Sequence, residues 1–319
     1  MGKPIRMLGI TVACCLVVLI GWLGLYGSSG GNRAVRQVTD STGTVVNIPV
    51  HPQRVVFLNV SNMDMYYAAG GTAVGKPSSE SVSPTLQEKT KDVTEVGIIH
   101  NPNVETILSL NPDLVIGVNV PFHNNLRATL EKAGIPLYIN ALDSYDDVLE
   151  TLRFYGELTG QEKKAAAEAA RIEEVHRQIF SRTEGKEGPR TLIIFGAPGS
   201  FSMATSKSFS GDLLKQLGGV NIADGAAEME SGFVPLSMEY IAKRDPEVIL
   251  FISMVKRPAI IENFQEEMAG SSLWQGVSAV QQGKIYYLPG ELFAVNPGTR
   301  IAEAFDVLYN DLYGNGAAQ

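Results

Sequence analysis

Cysteine is nearly absent from this sequence. Among 319 residues the only cysteines are Cys14 and Cys15, and both lie in an uncharged apolar run near the amino terminus. The body of the chain, residues 32–319, therefore has no disulfide, no thiolate metal site and no thiol nucleophile.

Positive charge is also scarce. Twenty-six Lys and Arg residues stand against 34 Asp and Glu residues, giving a net charge of −8. No basic stripe with interleaved aromatics occurs, so the sequence argues against nucleic acid as a partner. The motifs Gly-x-Ser-x-Gly and His-Glu-x-x-His and a phosphate-binding loop are missing too. We therefore expect no enzymatic activity.

The amino terminus has the features of a targeting segment. Lys3 and Arg6 precede residues 7–26, which contain no charge. About twenty apolar residues can cross a bilayer, and the flanking positive charges favour the cytoplasmic side. Residues 27–31 are glycine and serine, a flexible tether. We expect residues 1–31 to be a retained anchor, a cleaved signal peptide or a lipoprotein leader processed before Cys14. Each alternative places the body outside the cytoplasm.

One sequence unit occurs twice, at residues 103–117 and 237–251. Each copy has a polar first residue, a glutamate (Glu105 or Glu239), an apolar pair, and a proline seven residues after the glutamate. A continuous apolar run follows. Proline disfavours helix at the preceding residue, and an uncharged β-branched run suits a strand buried on both faces. The repeat predicts two lobes of similar design, each with an exposed glutamate at the same place.

The order of patterns predicts an α/β fold. We expect two α/β lobes with mostly parallel central sheets, joined by one long α-helix and with a ligand cleft between the lobes. The alanine-rich stretch 161–182, which contains no glycine or proline, is the strongest predicted helix. The expected divisions are the leader and tether, the N-terminal lobe, the interlobe helix and the C-terminal lobe, at residues 1–31, 32–158, 159–184 and 185–319.

These features together resemble the extracytoplasmic substrate-binding proteins of ABC importers for iron-siderophores, haem and cobalamin. The resemblance rests on a hairpin at 37–49, the paired units, the long helix and the closing Asn296-Pro297-Gly298. Within that group, residues 196–205 look closest to Gram-positive haem receptors. The resemblance implies capture of an iron chelate, haem first and a ferric siderophore or cobalamin as alternatives, without a catalytic cofactor. A membrane-anchored sensor domain is a further alternative.

The resemblance also implies partners. Glu105 and Glu239 match the residues that dock onto arginines of the membrane permease, which works with an ATPase. A cell-surface haem donor protein is another expected partner, and we expect the chain to be a monomer. Two separated charges would also orient the encounter.

The loops after the predicted strands are where a ligand binds in α/β sheets. Two of the four histidines, His100 and His123, fall in them. The resemblance implies a pair of haem-iron ligands, His100 from the first lobe and Met254 from the second. His123 is the rival ligand, and either histidine could instead be an ordinary loop residue. Further candidate binding residues in or beside these loops are Met63, Tyr66, Met203, Arg257 and Phe293. Arginine would pair with a carboxylate of the ligand.

Overall fold

A computed structural model describes residues 34–226, 232–253 and 258–314. Residues 1–33, 227–231, 254–257 and 315–319, and with them Met254 and Arg257, lie outside the described residues. Of the helices formed by the described residues, none has the length and apolarity needed to span a bilayer. The predicted leader therefore stays a prediction.

The strands alternate with helices along most of the chain, as the sequence predicts. Their bounds are β1 Val35–Thr39, β2 Val45–Pro49, β3 Val55–Phe57, β4 Gly75–Lys76, β5 Thr94–Glu95, β6 Gly97–Ile98, β7 Asn101–Pro102, β8 Leu114–Gly117, β9 Leu137–Ile139, β10 Arg190–Ala197, β11 Ser200–Ala204, β12 Val220–Asn221, β13 Phe233–Pro235, β14 Val248–Ser253 and β15 Ile285–Leu288.

The helices include the predicted ones, with ends displaced by a few residues. Their bounds are α1 Val60–Ala68, α2 Pro84–Lys89, α3 Val104–Ser109, α4 Pro121–Asn124, α5 Arg127–Lys132, α6 Tyr145–Thr159, α7 Glu162–Ser181, α8 Phe209–Gln216, α9 Met238–Arg244, α10 Pro258–Gly270, α11 Ser272–Gln275, α12 Ser278–Gln281, α13 Gly290–Phe293 and α14 Ile301–Tyr313, with 3-10 turns at Ile222–Gly225 and Gly298–Arg300.

The first lobe is built on a five-stranded sheet of order β5-β4-β3-β8-β9, in which every pairing is parallel. Strands β3, β8 and β9 are buried along their whole length. Uninterrupted burial explains why their sequences are continuous apolar runs instead of alternating ones. The hairpin β1–β2 precedes this sheet, and the side chain of Asp40 holds its turn by accepting from the amides of Thr42 and Thr44.

The second lobe is built on a six-stranded sheet of order β13-β11-β10-β14-β15, with β12 paired to β10. The pairings of β10 with β14 and β12, and of β14 with β15, are parallel. The β10–β11 hairpin and β13 add antiparallel pairings at one edge. The prediction of two α/β lobes with mostly parallel sheets is confirmed.

Helices α6 and α7 connect the two sheets along the chain. Helix α6 begins at a reciprocal cap between Ser144 and Asp147 and ends at Gly160, which has a φ of +66°. Helix α7 covers 20 residues, close to the predicted 161–182. Gly156 lets the two helices approach closely, because a Cβ there would lie 2.7 Å from the Cβ of Ala165.

One hydrophobic core runs through both lobes. It contains side chains from β3 and β8 of the first sheet, from β10 and β14 of the second, and from α6, α7 and α14. Two smaller clusters, one in each lobe, lie apart from this shared core. Close-packed interiors resist deformation, so the shared core favours a small range of lobe motion. The lobe boundaries predicted at residues 158 and 184 stay a prediction, since residues from Val35 onward form one compact unit.

Candidate ligand-binding site

The repeated sequence unit folds the same way in both lobes. Asn103 caps α3 by accepting from the amide of Thr106, and Ser237 caps α9 by accepting from the amide of Tyr240. Glu105 and Glu239 are each the second residue of their helix, and both are exposed. A carboxylate is favoured there by the positive end of the helix dipole.

The carboxyl ends of the two helices match as well. The residue before each proline, Asn111 or Asp245, has a φ of +44°, and these are the two non-glycine residues with positive φ among those the structure describes. Both residue types tolerate the left-handed region better than most because a short polar side chain can bond locally. The reversal lets the chain leave the helix and enter β8 or β14 at once.

An arginine latch, formed by Arg54 in the first lobe and Arg190 in the second, holds each of these turns. Nε of Arg54 donates to the carbonyls of Leu110 and Asn111, both at 3.1 Å. Nε and Nη2 of Arg190 donate to the carbonyl of Asp245 at 3.2 and 3.0 Å. Sequence reasoning missed the latch. Its signal was an arginine at or just before the first buried strand of each lobe.

An acid after each proline completes the latch. Asp113 accepts from the amides of Gln53 and Arg54, and Glu247 accepts from the amide of Arg190. At the end away from its glutamate, each helix is therefore tied to the first strand of the parallel sheet of its lobe, β3 or β10.

His100 lies on the surface, in the tight turn between β6 and β7. Its ring lies 5.4 Å from the ring of Phe122, measured between centroids. Phe122 is 48% exposed and Ile98 is 52% exposed, which is high for side chains of this size. All three follow strands of the parallel sheet, β5 or β8. The rings of His100 and Phe122 are in contact, and Ile98 lies two residues before His100 in the same hairpin; we call these three exposed residues the histidine patch.

His123 is placed differently. Its side chain is fully buried, and Nδ1 accepts the amide proton of Val118 at 3.0 Å. Burial lowers the pKa of His123 to about 4. The ring is neutral at pH 7 with its one free lone pair in use. The structure therefore gives no support to His123 as a rival iron ligand.

Four other candidates are core residues in the structure. Met63, Tyr66, Met203 and Phe293 are each at most 2% exposed. Met63 and Tyr66 lie three residues apart on α1 and so share its inward face, and burial raises the pKa of Tyr66 well above its usual range. The sequence analysis placed Met63 and Tyr66 in or beside a ligand loop, whereas the structure places both within α1. Met254 and Arg257 lie outside the described residues, so their positions remain predictions.

A cavity of about 960 Å³ opens between the lobes beside α7. Its walls come from α1, α2 and residues 80–83 of the first lobe, and from Glu291 and the start of α14 in the second. Five carboxyl groups and four cations face it, namely Asp64, Glu80, Glu168, Glu291, Glu303, Lys89, Lys164, Arg171 and Arg300. Arg171 is paired with Glu168, and Arg300 with Glu303.

Asp64 ties the two lobes together at the edge of this cavity. Its Oδ2 accepts from the backbone amide of Thr299 at 2.8 Å and from the Thr299 hydroxyl at 2.6 Å. Burial raises the pKa of Asp64, and these hydrogen bonds oppose the rise. Gly298 fits beside it because a Cβ there would lie 2.7 Å from the same oxygen. The motif at 296–298 is thus a lobe contact.

Metal binding by a cluster of side chains finds no support in the part of the chain that the structure describes. There, no three His, Asp or Glu side chains converge as they would around a metal ion.

Two lobes with mostly parallel sheets, connected through α6 and α7, are the fold of an extracytoplasmic solute-binding protein. The sequence matches the family described as "Periplasmic binding protein" over residues 55–292, so the chain belongs to this family. The family is extracytoplasmic and consists of substrate-binding transport proteins.

Curated relatives and solved structures agree with this assignment. The chain is 25% identical to the Fe(3+)-citrate-binding protein YfmC of Bacillus subtilis over 292 residues, covering 89% of each chain. It is 26% identical to the high-affinity heme uptake system protein IsdE of Staphylococcus aureus, covering 75% of this chain and 80% of IsdE. The structure of IsdE complexed with heme superposes with a TM-score of 0.73 at 25% identity, covering 82% of this chain and 98% of that one. An ABC transporter substrate-binding protein from Listeria monocytogenes has the same fold, with a TM-score of 0.75 at 24% identity, covering 83% of this chain and all of that one.

Proposed function

We propose that this chain is the substrate-binding component of an ABC importer and that the iron chelate it captures is haem. The observation that supports haem most directly is the histidine patch. An exposed imidazole at a strand-end loop, flanked by an exposed phenylalanine and an exposed isoleucine, offers an iron ligand next to an apolar face.

His100 is the proposed iron ligand of the first lobe. A haem placed on it would lay part of its porphyrin on Phe122 and Ile98, whose burial is favourable at about 25 cal/mol per Å² of apolar surface. Met254 is the proposed ligand from the second lobe, and Arg257, three residues further on, is proposed to pair with a propionate. The protein acts by binding alone, without a catalytic group or cofactor.

A ferric siderophore is the second candidate, and the cavity between the lobes favours it. Lys89 and Lys164 line that cavity, and no salt bridge to either is found among the described residues. Against this candidate, carboxyl groups outnumber cations there, which disfavours a polyanionic chelate such as ferric citrate. Tyr66 and Phe293, the aromatic residues among the candidate binding residues, are buried in the core. Cobalamin has no specific support from the described surface.

The proposed partners follow from the two exposed glutamates. Glu105 and Glu239 are presented alike by the two lobes, and we propose that they bind arginines of the permease, which is driven by its ATPase. The leader would keep the protein at the outer face of the membrane, where it would receive haem as a monomer, from a cell-surface donor protein or from solution.

Replacing His100 by alanine tests the proposal. The purified wild-type protein is titrated with haemin and its Soret band is recorded. The His100→Ala variant should bind more weakly and show a shifted band, because it lacks the stronger of the two iron ligands. His51→Ala is the matched control, since His51 is exposed but precedes β3 at the opposite end of the strand. Equal spectra and affinities for wild type and His100→Ala would remove His100 from the site.

A further inference from the structure

The buried histidine next to the histidine patch has no part in the proposed coordination, yet a hydrogen bond and close packing fix its position. His123 follows Phe122 in α4, and its side chain is 0% exposed. Buried polar groups are costly unless they are hydrogen-bonded. Its Nδ1 accepts from the amide of Val118, five residues earlier, so the imidazole closes the loop between β8 and α4, whereas Nε2 is buried without a hydrogen-bond partner among the described residues.

The space around the ring is also restricted. A Cβ added to Gly117 would lie 3.0 Å from Nδ1 of His123 and 3.3 Å from its Cβ and Cγ. The φ of Gly117 is not in the left-handed region, so the backbone does not require glycine there. Glycine at this position instead leaves room for the imidazole against the end of β8.

The same loop meets the turn that holds His100. Helix α4 contacts β7, the backbone of Ile99 lies against the His123 ring, and Phe122 packs against the ring of His100. The turn is tight, because a Cβ at Gly97 would lie 2.6 Å from the carbonyl oxygen of Asn101. The side chains of two consecutive residues therefore lie on opposite sides of the loop. His123 is buried and bonds to the loop backbone, whereas Phe122 is exposed and contacts His100.

We propose that His123 is a positioning residue: as a hydrogen-bond acceptor for Val118 and a space-filling ring over Gly117, it holds Phe122 against His100. This inference rests on the proposed role of His100 in ligand binding. The orientation of His100, the proposed iron ligand, then depends on His123, a residue that is not proposed to contact the haem.

The test uses variants that separate the acceptor from the volume. His123→Asn keeps an oxygen near the position of Nδ1, so it should preserve the bond from Val118. His123→Leu fills similar space without an acceptor and leaves a buried amide unpaired. Gly117→Ala retains the histidine but pushes its ring aside. Gly270→Ala is the control, since a Cβ at Gly270 meets nothing within 4 Å.

Nuclear Overhauser effects between the rings of His100 and Phe122 in the ligand-free protein report the positioning directly. We expect them in wild type, His123→Asn and Gly270→Ala, and we expect their loss in His123→Leu and Gly117→Ala. Haemin should dissociate about tenfold faster from the two impaired variants, the change expected for one buried hydrogen bond. If His123→Leu does not fold, Gly117→Ala decides the question.

Three results would overturn the inference. The first is the absence of the His100–Phe122 ring signal in wild type. The second is the persistence of that signal in both His123→Leu and Gly117→Ala. The third is a His123→Asn variant as impaired as His123→Leu, which would show that a hydrogen-bond acceptor at this position does not hold Phe122 against His100. If wild type fails to bind haemin, the proposed ligand is wrong, and the ring–ring signals alone then decide whether His123 positions the patch.

Discussion

Removing both exposed glutamates should uncouple ligand binding from transport. We consider Glu105→Ala combined with Glu239→Ala. Each glutamate is the second residue of a capped helix, where its interaction with the helix dipole is worth about 0.3–1 kcal/mol. The double variant should therefore lose less than about 2 kcal/mol of folding stability and should bind its ligand as wild type does.

The effect on docking should be much larger. Truncating one partner of a buried, hydrogen-bonded charge pair costs about 2–5 kcal/mol. With about 1.4 kcal/mol for each tenfold change, the loss is roughly 30-fold or more per glutamate. Two losses at separate lobes should together abolish productive docking.

The assay is stimulation of ATP hydrolysis by the permease–ATPase complex in lipid nanodiscs, with ligand affinity measured separately on the isolated protein. Glu131→Ala combined with Glu266→Ala is the matched control. These glutamates are also exposed on helices, one in each lobe, and have no salt bridge within the described residues. If the Glu105/Glu239 double variant stimulates ATP hydrolysis as strongly as wild type does, the two glutamates are not the docking residues.

Two further predictions concern the lobe contact and the arginine latch. Asp64→Asn should stabilise the protein at pH 7 relative to wild type. Burial raises the pKa of Asp64 in the folded state, so the protonated carboxyl stabilises the fold at low pH, and this contribution is lost as the pH rises through the folded-state pKa. The amide of asparagine stays neutral at both pH values. Urea unfolding at pH 4 and pH 7 checks this, and an amide variant less stable than wild type at pH 7 would contradict it. Arg54→Lys and Arg190→Lys should each lower the free energy of unfolding by about 1 kcal/mol, because lysine keeps the charge but not the planar set of donors. The same variants should weaken stimulation of the importer without changing ligand affinity, and unfolding curves that match wild type would show that the latch contributes nothing.

The fold was readable from the sequence because its signals are local and repeated. Each Glu-to-Pro unit encodes a capped helix, a break and a buried strand within 15 residues, and the structure has this sequence of elements twice. The alanine-rich stretch before residue 182 gave helix α7 almost to its ends. These features depend on neighbouring residues, so a single sequence contains them.

The site was less readable because it depends on which way side chains point. Because α1 begins at Val60, Met63 and Tyr66 lie on its buried face. Their three-residue spacing, which places two side chains on one helix face, was the sequence feature that indicated this. His100 and His123 are both loop histidines in sequence, yet one is exposed and the other is fully buried. That difference arises from the packing of the 118–124 loop over Gly117, which no local pattern reveals. The bond between Asp64 and Thr299 joins residues 235 positions apart and has no sequence signal.

The central claim is that the histidine patch binds haem through iron, and an absorption titration tests it most directly. Purified protein is titrated with haemin and, in parallel, with haemin in the presence of excess ferric siderophore. We expect a saturable Soret shift at one haemin per protein and a six-coordinate spectrum. The spectrum should change in His100→Ala but not in His51→Ala. Wild-type protein that shows no Soret shift, yet binds the ferric siderophore, would contradict it and assign the chain to the second candidate.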